Sequence, residues 1–499
     1  MTGLRRAMLL VALVGAATAA IGIPARTTHG AQVSVDEPQY LMTAISLGED
    51  LNLDISDEID EEQYLPFHEI GLNTQTIDLN EHGQRLSPHD PLLPAILAMP
   101  MRLGGWVAAR ATLSALAGIL AAATLWVAVR RFGIAVRTGG WVVGALSATP
   151  PLTAYGSQVY PELPAALALV VAVGAAMGLR AGADAAPRTR TLVVLVLAVT
   201  ALPWLSVKYV PATAAVAALA AWGLWQDGPW RDDRRRLLGP GALAMGAMGV
   251  AYAVLHLRIY GDWTVYAAGD HFVDGEFGVV GFDPDYWGRT RRLVGLLVDR
   301  PFGLAAWSPA WLAMAPALGV LVARRPAGWP LLAAPLAAGW ATATWIALTM
   351  HGWWWPGRQV VVVLPLVVIA VAIAVDRAPR LLAPLVAVAA LGAAGWAWVA
   401  VEASTGRRAL AVDVTETAWL GYRWFSRLLP DLHRGSATDL WWAAAWAVVL
   451  VAVAVAAGRW ATGPDPRLAS VEGDEDAGRG EGADAHELAG DLDGGGAVR

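Results

Sequence analysis

Arg358-Gln359-Val360-Val361-Val362-Val363-Leu364-Pro365-Leu366-Val367-Val368-Ile369-Ala370-Val371-Ala372-Ile373-Ala374-Val375-Asp376-Arg377 decides the class of fold. From Val360 to Val375 no residue carries charge or a side-chain hydrogen-bonding group. A helix needs about 20 apolar residues to cross about 30 Å of hydrocarbon, and this run is of that order. Arg358 opens the helix against its dipole, where a cation is unfavourable. An anion is therefore expected beside it, and a lipid phosphate is one that suits a guanidinium.

Runs of the same kind recur on both sides of this one. They predict twelve membrane helices, at roughly 7–23, 105–129, 137–153, 162–179, 191–206, 209–226, 238–257, 303–323, 329–350, 359–375, 381–401 and 440–458. The whole composition agrees. The 499 residues are 56% hydrophobic and 16% charged, with a mean hydropathy of +0.47. Soluble domains carry charge at about a quarter of their positions. The expected fold is all-α and polytopic, and the composition excludes a water-soluble enzyme, a disordered chain and a nucleic-acid binder. A net charge of −6 argues separately against a polyanionic partner. Cysteine is absent, which removes disulfides, thiolate metal sites and cysteine nucleophiles.

Arginine sets the expected orientation. Arg5 and Arg6 precede the first helix, and Arg130, Arg131 and Arg137 follow the second. Arg180, Arg188 and Arg190 follow the fourth, Arg231, Arg234, Arg235 and Arg236 the sixth, Arg324 and Arg325 the eighth, Arg377 and Arg380 the tenth. Every second connection is short and basic, as cytoplasmic loops are, so both termini are expected in the cytoplasm of a plasma-membrane protein. Arg5-Arg6 followed by an apolar stretch and small residues also fits a cleaved signal peptide, but the segment is long enough to remain as a helix. Three longer connections, 24–104, 258–302 and 402–439, then share the extracytoplasmic face. The first is strongly acidic between Asp36 and Asp90. Leu92, Leu93, Ile96, Leu97 and Met101 suit an interfacial helix, as do Leu293, Leu296 and Leu297. Residues 1–458 form the expected membrane domain. The Gly-rich, acidic stretch 459–499 is expected to be disordered.

Candidate chemistry collects at the outer ends of the helices. Asp36-Glu37, about a dozen residues past the first helix, can serve as a general base with its neighbour or hold a divalent cation. Ser34 with Glu37 equally fits a helix capping box, with Pro38 in the first turn. His89-Asp90 closes the acidic loop and can orient a hydroxyl or a metal. Asp90 as N-cap before Pro91 is the structural alternative. Tyr160-Pro161-Glu162 opens the fourth helix, where a carboxylate also suits the dipole. Lys208 is the chain's single lysine, placed between two helices. It can snorkel to the interface or meet a phosphate. His351 begins the stretch His351-Gly352-Trp353-Trp354-Trp355-Pro356-Gly357-Arg358, whose tryptophans suit the interfacial belt. Tyr260, Asp262, Trp263, Tyr266, Asp270 and His271 mix rings and acids in the way sugar sites do, and interfaces as well.

The order of these motifs resembles the GT-C superfamily of polytopic glycosyltransferases, in particular protein O-mannosyltransferases and lipid A aminoarabinose transferases. The matching residues are Asp36-Glu37-Pro38-Gln39-Tyr40-Leu41, Ser87-Pro88-His89-Asp90-Pro91, Tyr160-Pro161-Glu162, Gly295–Leu304 with Ser308-Pro309, and Arg358 with Pro365. Asp90 departs from the second proline of the family's His-Pro-Pro turn. The resemblance implies a sugar donor on a polyprenyl phosphate, embedded in the membrane lipid, and a protein, lipid or polysaccharide acceptor. It implies Asp36 as the base of an inverting displacement, Glu37 as its neighbour, and Lys208 and Arg358 on the departing phosphate. His89, Asp90, Tyr160, Glu162 and His351 would position substrates. No metal is demanded, although Asp36 could ligate a divalent cation.

Two other classes compete. A transporter needs ionisable groups mid-membrane or broken helices paired between two halves, and the sequence shows almost none. A catalytically silent scaffold of the same fold would look the same in sequence.

Overall fold

A computed structural model of the chain describes residues 2–72, 74–75, 79–180, 188–226, 231–265 and 285–462, apart from the side chains of 231–236. Tyr266, Asp270 and His271, the tail past 462 and the side chains of Arg231, Arg234, Arg235 and Arg236 lie outside the described residues. Among those described there are helices and isolated bridges but no strand.

In chain order the principal helices are α1 (Thr2–Ala20), α2 (Glu37–Glu49), α3 (Ser56–Asp60), α4 (Leu92–Phe132), α5 (Val136–Ser147), α6 (Glu162–Arg180), α7 (Arg188–Leu205), α8 (Val210–Gln226), α9 (Arg231–Ile259), α10 (Arg292–Val298), α11 (Met314–Arg324), α12 (Pro330–Ala341), α13 (Leu364–Arg377), α14 (Leu382–Ser404) and α15 (Ala437–Thr462). Nine helical runs among the described residues are long and apolar enough to cross a membrane. The chain is an integral membrane protein.

Three of the twelve expected spans are shorter than expected. The helix predicted at 137–153 is α5, which stops at Ser147 ahead of Pro150 and Pro151. The one predicted at 303–323 becomes continuous only from Pro309, because Ser308 is extended before a proline. The one predicted at 329–350 is α12, which passes into a single π-helical turn, Thr342–Ile346, and ends.

The interfacial helix and the span expected at 105–129 are one run, α4, folded at Gly104-Gly105. Gly105 has φ +60° and ψ −158°, a conformation essentially closed to residues with a Cβ. That fold carries Leu92–Leu103 off the axis of the span and brings His89 and Asp90 back over the helix ends. In the first loop, Ala31 bridges to His68 and Asp54 to Leu86, so the segment closes on itself.

The centre of the molecule is built from α6 and from the run Arg358–Arg377, in which a 3-10 stretch (Arg358–Val363) leads into α13. Of their apolar windows, 78% and 83% is buried, against 6% for α15. The two central helices begin at Glu162 and Arg358, so both charges are delivered to the interior of the bundle at one end. At the periphery α15 rests on α11, with Gly319 so close that a Cβ would run into the Ala454 carbonyl oxygen. Small residues permit this approach between membrane helices.

Candidate active site

Four charged side chains from four distant segments form one chain of contacts. Arg358 Nη2 donates to Asp36 Oδ2 at 2.6 Å, and Arg358 Nε donates to Glu162 Oε1 at 2.9 Å. Lys208 Nζ donates to the same Glu162 oxygen at 2.7 Å. The Arg358 guanidinium also lies over the Tyr160 ring, 4.0 Å from its centroid, with Trp354 at 5.1 Å. The anion expected beside Arg358 is thus supplied by the protein, as two carboxylates. The side chains of Glu162 and Arg358 are 1% and 9% exposed, whereas 25% of Lys208 faces outward. Charges this enclosed persist only when paired, and the two cations and two carboxylates balance.

Asp36 is the N-cap residue of α2, with Pro38 in the first turn. Its second oxygen, Oδ1, accepts from Gln75 Nε2 at 2.9 Å, and Gln75 Oε1 meets His89 Nε2 at 2.8 Å. His89 stacks on Tyr40, with ring centroids 4.4 Å apart. Burial alone would raise the Asp36 carboxyl. The neighbouring Arg358 and His89, with the hydrogen bonds from Gln75 and Arg358, outweigh it and hold Asp36 well below the usual carboxylate range. Both of its oxygens already have protein partners.

Glu37 turns the other way. It is fully buried and accepts from the backbone N–H of Val159 at 2.8 Å and of Ser34 at 3.0 Å, with Arg110 at 3.8 Å. Burial pushes its carboxyl up, opposed by Arg110 and by those N–H groups. The Ser34 amide supplies one half of the expected capping box. The Ser34 hydroxyl goes instead to the Trp353 carbonyl. Glu37 therefore grips the backbone beside Tyr160 and has no open face for a substrate. Its place beside Asp36 as a catalytic group does not fit this geometry.

Asp90 is likewise a latch, and it is not the N-cap expected from the sequence: α4 is capped by Pro91. Asp90 accepts from Val207 N–H at 3.2 Å, from the Tyr252 hydroxyl at 3.1 Å and meets His256 Nε2 at 3.0 Å. It fixes the turn that presents Lys208. His351 stands in a separate group, with Nε2 3.0 Å from Asp299 Oδ2 and its ring edge-on to Phe302 and His433. Asp299 also accepts from Leu432 N–H at 2.8 Å, so this pair ties α10 to the segment before α15.

Several partners escape a reading of the sequence. Gln75 has no motif around it. Arg110, fully buried, donates to the carbonyls of Ile23, Ala25 and Gln32, locking the start of the first loop onto α4. Its signal is an arginine inside an apolar span, which is costly without a purpose. His256 and Tyr252, one turn apart on α9, carry a weaker signal of the same kind.

Comparison with known proteins finds similarity to two solved structures of ArnT from Cupriavidus metallidurans. The apo state is 15% identical, with 91% of this chain and 77% of that chain covered and a TM-score of 0.47. The structure bound to undecaprenyl phosphate is 17% identical, with 90% and 71% covered and a TM-score of 0.47. No family model and no curated protein sequence matches the chain.

Proposed function

We propose that the protein is a membrane glycosyltransferase that moves a sugar from a polyprenyl-phosphate donor to an acceptor hydroxyl at the extracytoplasmic face. The observation that carries this reading is the single Glu162 oxygen shared by Lys208 and Arg358, with Asp36 on the other arm of the same guanidinium. A carboxylate base and a two-cation anion clamp thereby occupy one constellation. Glu162 uses one N–H of Lys208 and one of Arg358, and Asp36 one more. An ammonium has three donors and a guanidinium five, so donors remain for a phosphate.

The step is an inverting displacement. The acceptor oxygen bonds to the anomeric carbon while its proton passes to Asp36. The bond from that carbon to the phosphate oxygen breaks, and its electron pair leaves with the lipid phosphate. Lys208 and Arg358 stabilise the charge that develops there, the kind of contact whose removal costs about 10²–10³ in rate. A carboxylate held this acidic is a weak base in the ground state and acts as the proton leaves in the transition state. A donor phosphate that draws on Arg358 loosens its hold on Asp36 and makes the carboxylate more basic when the substrate is present. Tyr160 walls the guanidinium, Gln75 and His89 orient Asp36, and Glu37 and Asp90 act through the backbone beside Tyr160 and Lys208. No divalent cation is required by this scheme.

The test is transfer of labelled sugar from a panel of polyprenyl-phosphate sugars in membranes carrying wild type, Asp36→Asn or Arg358→Ala at matched expression. Wild type transfers, and Asp36→Asn lowers the rate about 10²–10⁴-fold. Transfer that survives Asp36→Asn removes Asp36 as the base. No transfer from any donor returns the scaffold and transporter readings to the front.

A further inference from the structure

The acidic first loop holds a group that the transferase site does not use. α2 ends at Glu49 with Asp50 as C-cap, and α3 begins at Ser56. One carboxylate oxygen each from Asp50, Asp57 and Glu58 lies within 4.8 Å of the others. Asp50 and Asp57 are exposed, but Glu58 is 1% exposed, and its Oε2 is buried with no hydrogen-bond partner. None of the three is ion-paired to an arginine, lysine or histidine among the described residues. The polar residues between them are already committed. Asn52 Oδ1 accepts from Ser46 Oγ and the Asp54 amide, and Asp54 Oδ1 accepts from the Ser56 amide and hydroxyl and from the Arg85 amide. These bonds close the loop and hold the three remaining carboxylates together.

We propose that Asp50, Asp57 and Glu58 bind one calcium ion, which clamps the end of α2 to the start of α3. Oxygens around a common Ca²⁺ sit 2.3–2.6 Å from it, hence up to about 5 Å from each other, as these three are. A buried carboxylate without a counter-charge is costly. The C-terminal end of α2 adds negative potential of its own, which a cation offsets. Two of the three ligands are exposed, which leaves room for the waters that complete a coordination number of 6–8. The adaptable oxygen set suits calcium over magnesium, which demands near-ideal octahedral geometry. α2 starts immediately after Asp36, so the ion would brace the far end of the helix that presents it. The binding site itself stands whether or not the chain is a transferase.

The experiment is calorimetric titration of the full chain in detergent, stripped with EGTA, with CaCl₂ and separately with MgCl₂, together with thermal unfolding in both conditions. The expected result is one Ca²⁺ per chain, weaker binding of Mg²⁺, and a Tm that rises with CaCl₂. Glu58→Gln weakens Ca²⁺ binding at least tenfold. In EGTA it is as stable as wild type or more so, because it relieves the repulsion, and in CaCl₂ the order reverses. Asp50→Asn, at an exposed position, gives the same loss of binding should Glu58→Gln fail to fold. The absence of both heat and a Tm shift up to about 10 mM CaCl₂, above the weakest class of calcium site, overturns the proposal. So does a Tm shift that Glu58→Gln and Asp50→Asn leave intact.

Discussion

Arg358 is the residue on which the candidate site turns, since its guanidinium meets Asp36 with one nitrogen and Glu162 with another. A lysine keeps the charge but offers one nitrogen for two separated acceptors. Arg358→Lys is therefore expected to lose transfer nearly as fully as Arg358→Ala while keeping more of the stability, measured as sugar transfer and Tm on the same preparations. Equal activity of Arg358→Lys and wild type would mean that the fork is not used. Asp36 supplies a pH test. Its folded-state pKa lies below the unfolded value of about 3.9, so its ion pair contributes stability above that pH and loses it as pH falls through the lower folded value. The Tm difference between wild type and Asp36→Asn is expected to stay level from pH 7 to about 5 and to shrink only below about pH 4. A difference that already collapses between pH 7 and 5 would show that Asp36 is not held ionised.

At the scale of elements, the helices that matter most are those that begin with a charge. α6 starts at Glu162 and the run into α13 starts at Arg358, and both are enclosed by the remaining bundle. Pro161 before the one and Pro356-Gly357 before the other terminate what precedes them, so each charge stands at a first turn. The α11–α15 contact is set by space. A side chain at Gly319 would run into the backbone of Ala454, which has no rotamer with which to give way. Gly319→Leu is expected to separate α15 from the bundle and lower Tm by several degrees, with transfer preserved at low temperature because the site lies elsewhere. An unchanged Tm in thermal unfolding would show that α15 is held by other means. The three short helices follow from prolines and a π-helical turn that a hydropathy pattern averages over.

For the whole molecule, orientation has a direct measurement. The chain has no cysteine, so each introduced cysteine reports alone. Leu51, 86% exposed in the first loop, and Ala327, exposed in the basic connection after α11, fall on opposite sides if the arginine pattern is obeyed. Leu51→Cys is expected to react with an impermeant maleimide in intact cells, and Ala327→Cys only after permeabilisation. Labelling of both, or the reverse order, would move the Asp36 constellation to the other face or overturn the topology.

Composition and apolar runs alone determined that this is a helical membrane protein, because the cost of burying charge in hydrocarbon leaves its record in every span. The sequence also marked Asp36, Glu162, Lys208 and Arg358, together with Glu37, His89, Asp90, Tyr160 and His351, as polar groups gathered at the outer helix ends and loops, and for Arg358 it called for an anionic partner. Which partner each one has was decided only by the tertiary structure. Asp36 and Arg358 are separated by most of the chain, and no local pattern records that they touch. The same holds for Glu37 and Asp90, which look as available as Asp36 in sequence. They differ because packing turned them inward, onto the backbone amides of Val159 and Val207. A carboxylate's neighbours and burial, which set its proton affinity and its access to a substrate, are properties of the packed bundle and not of the residues beside it in the chain.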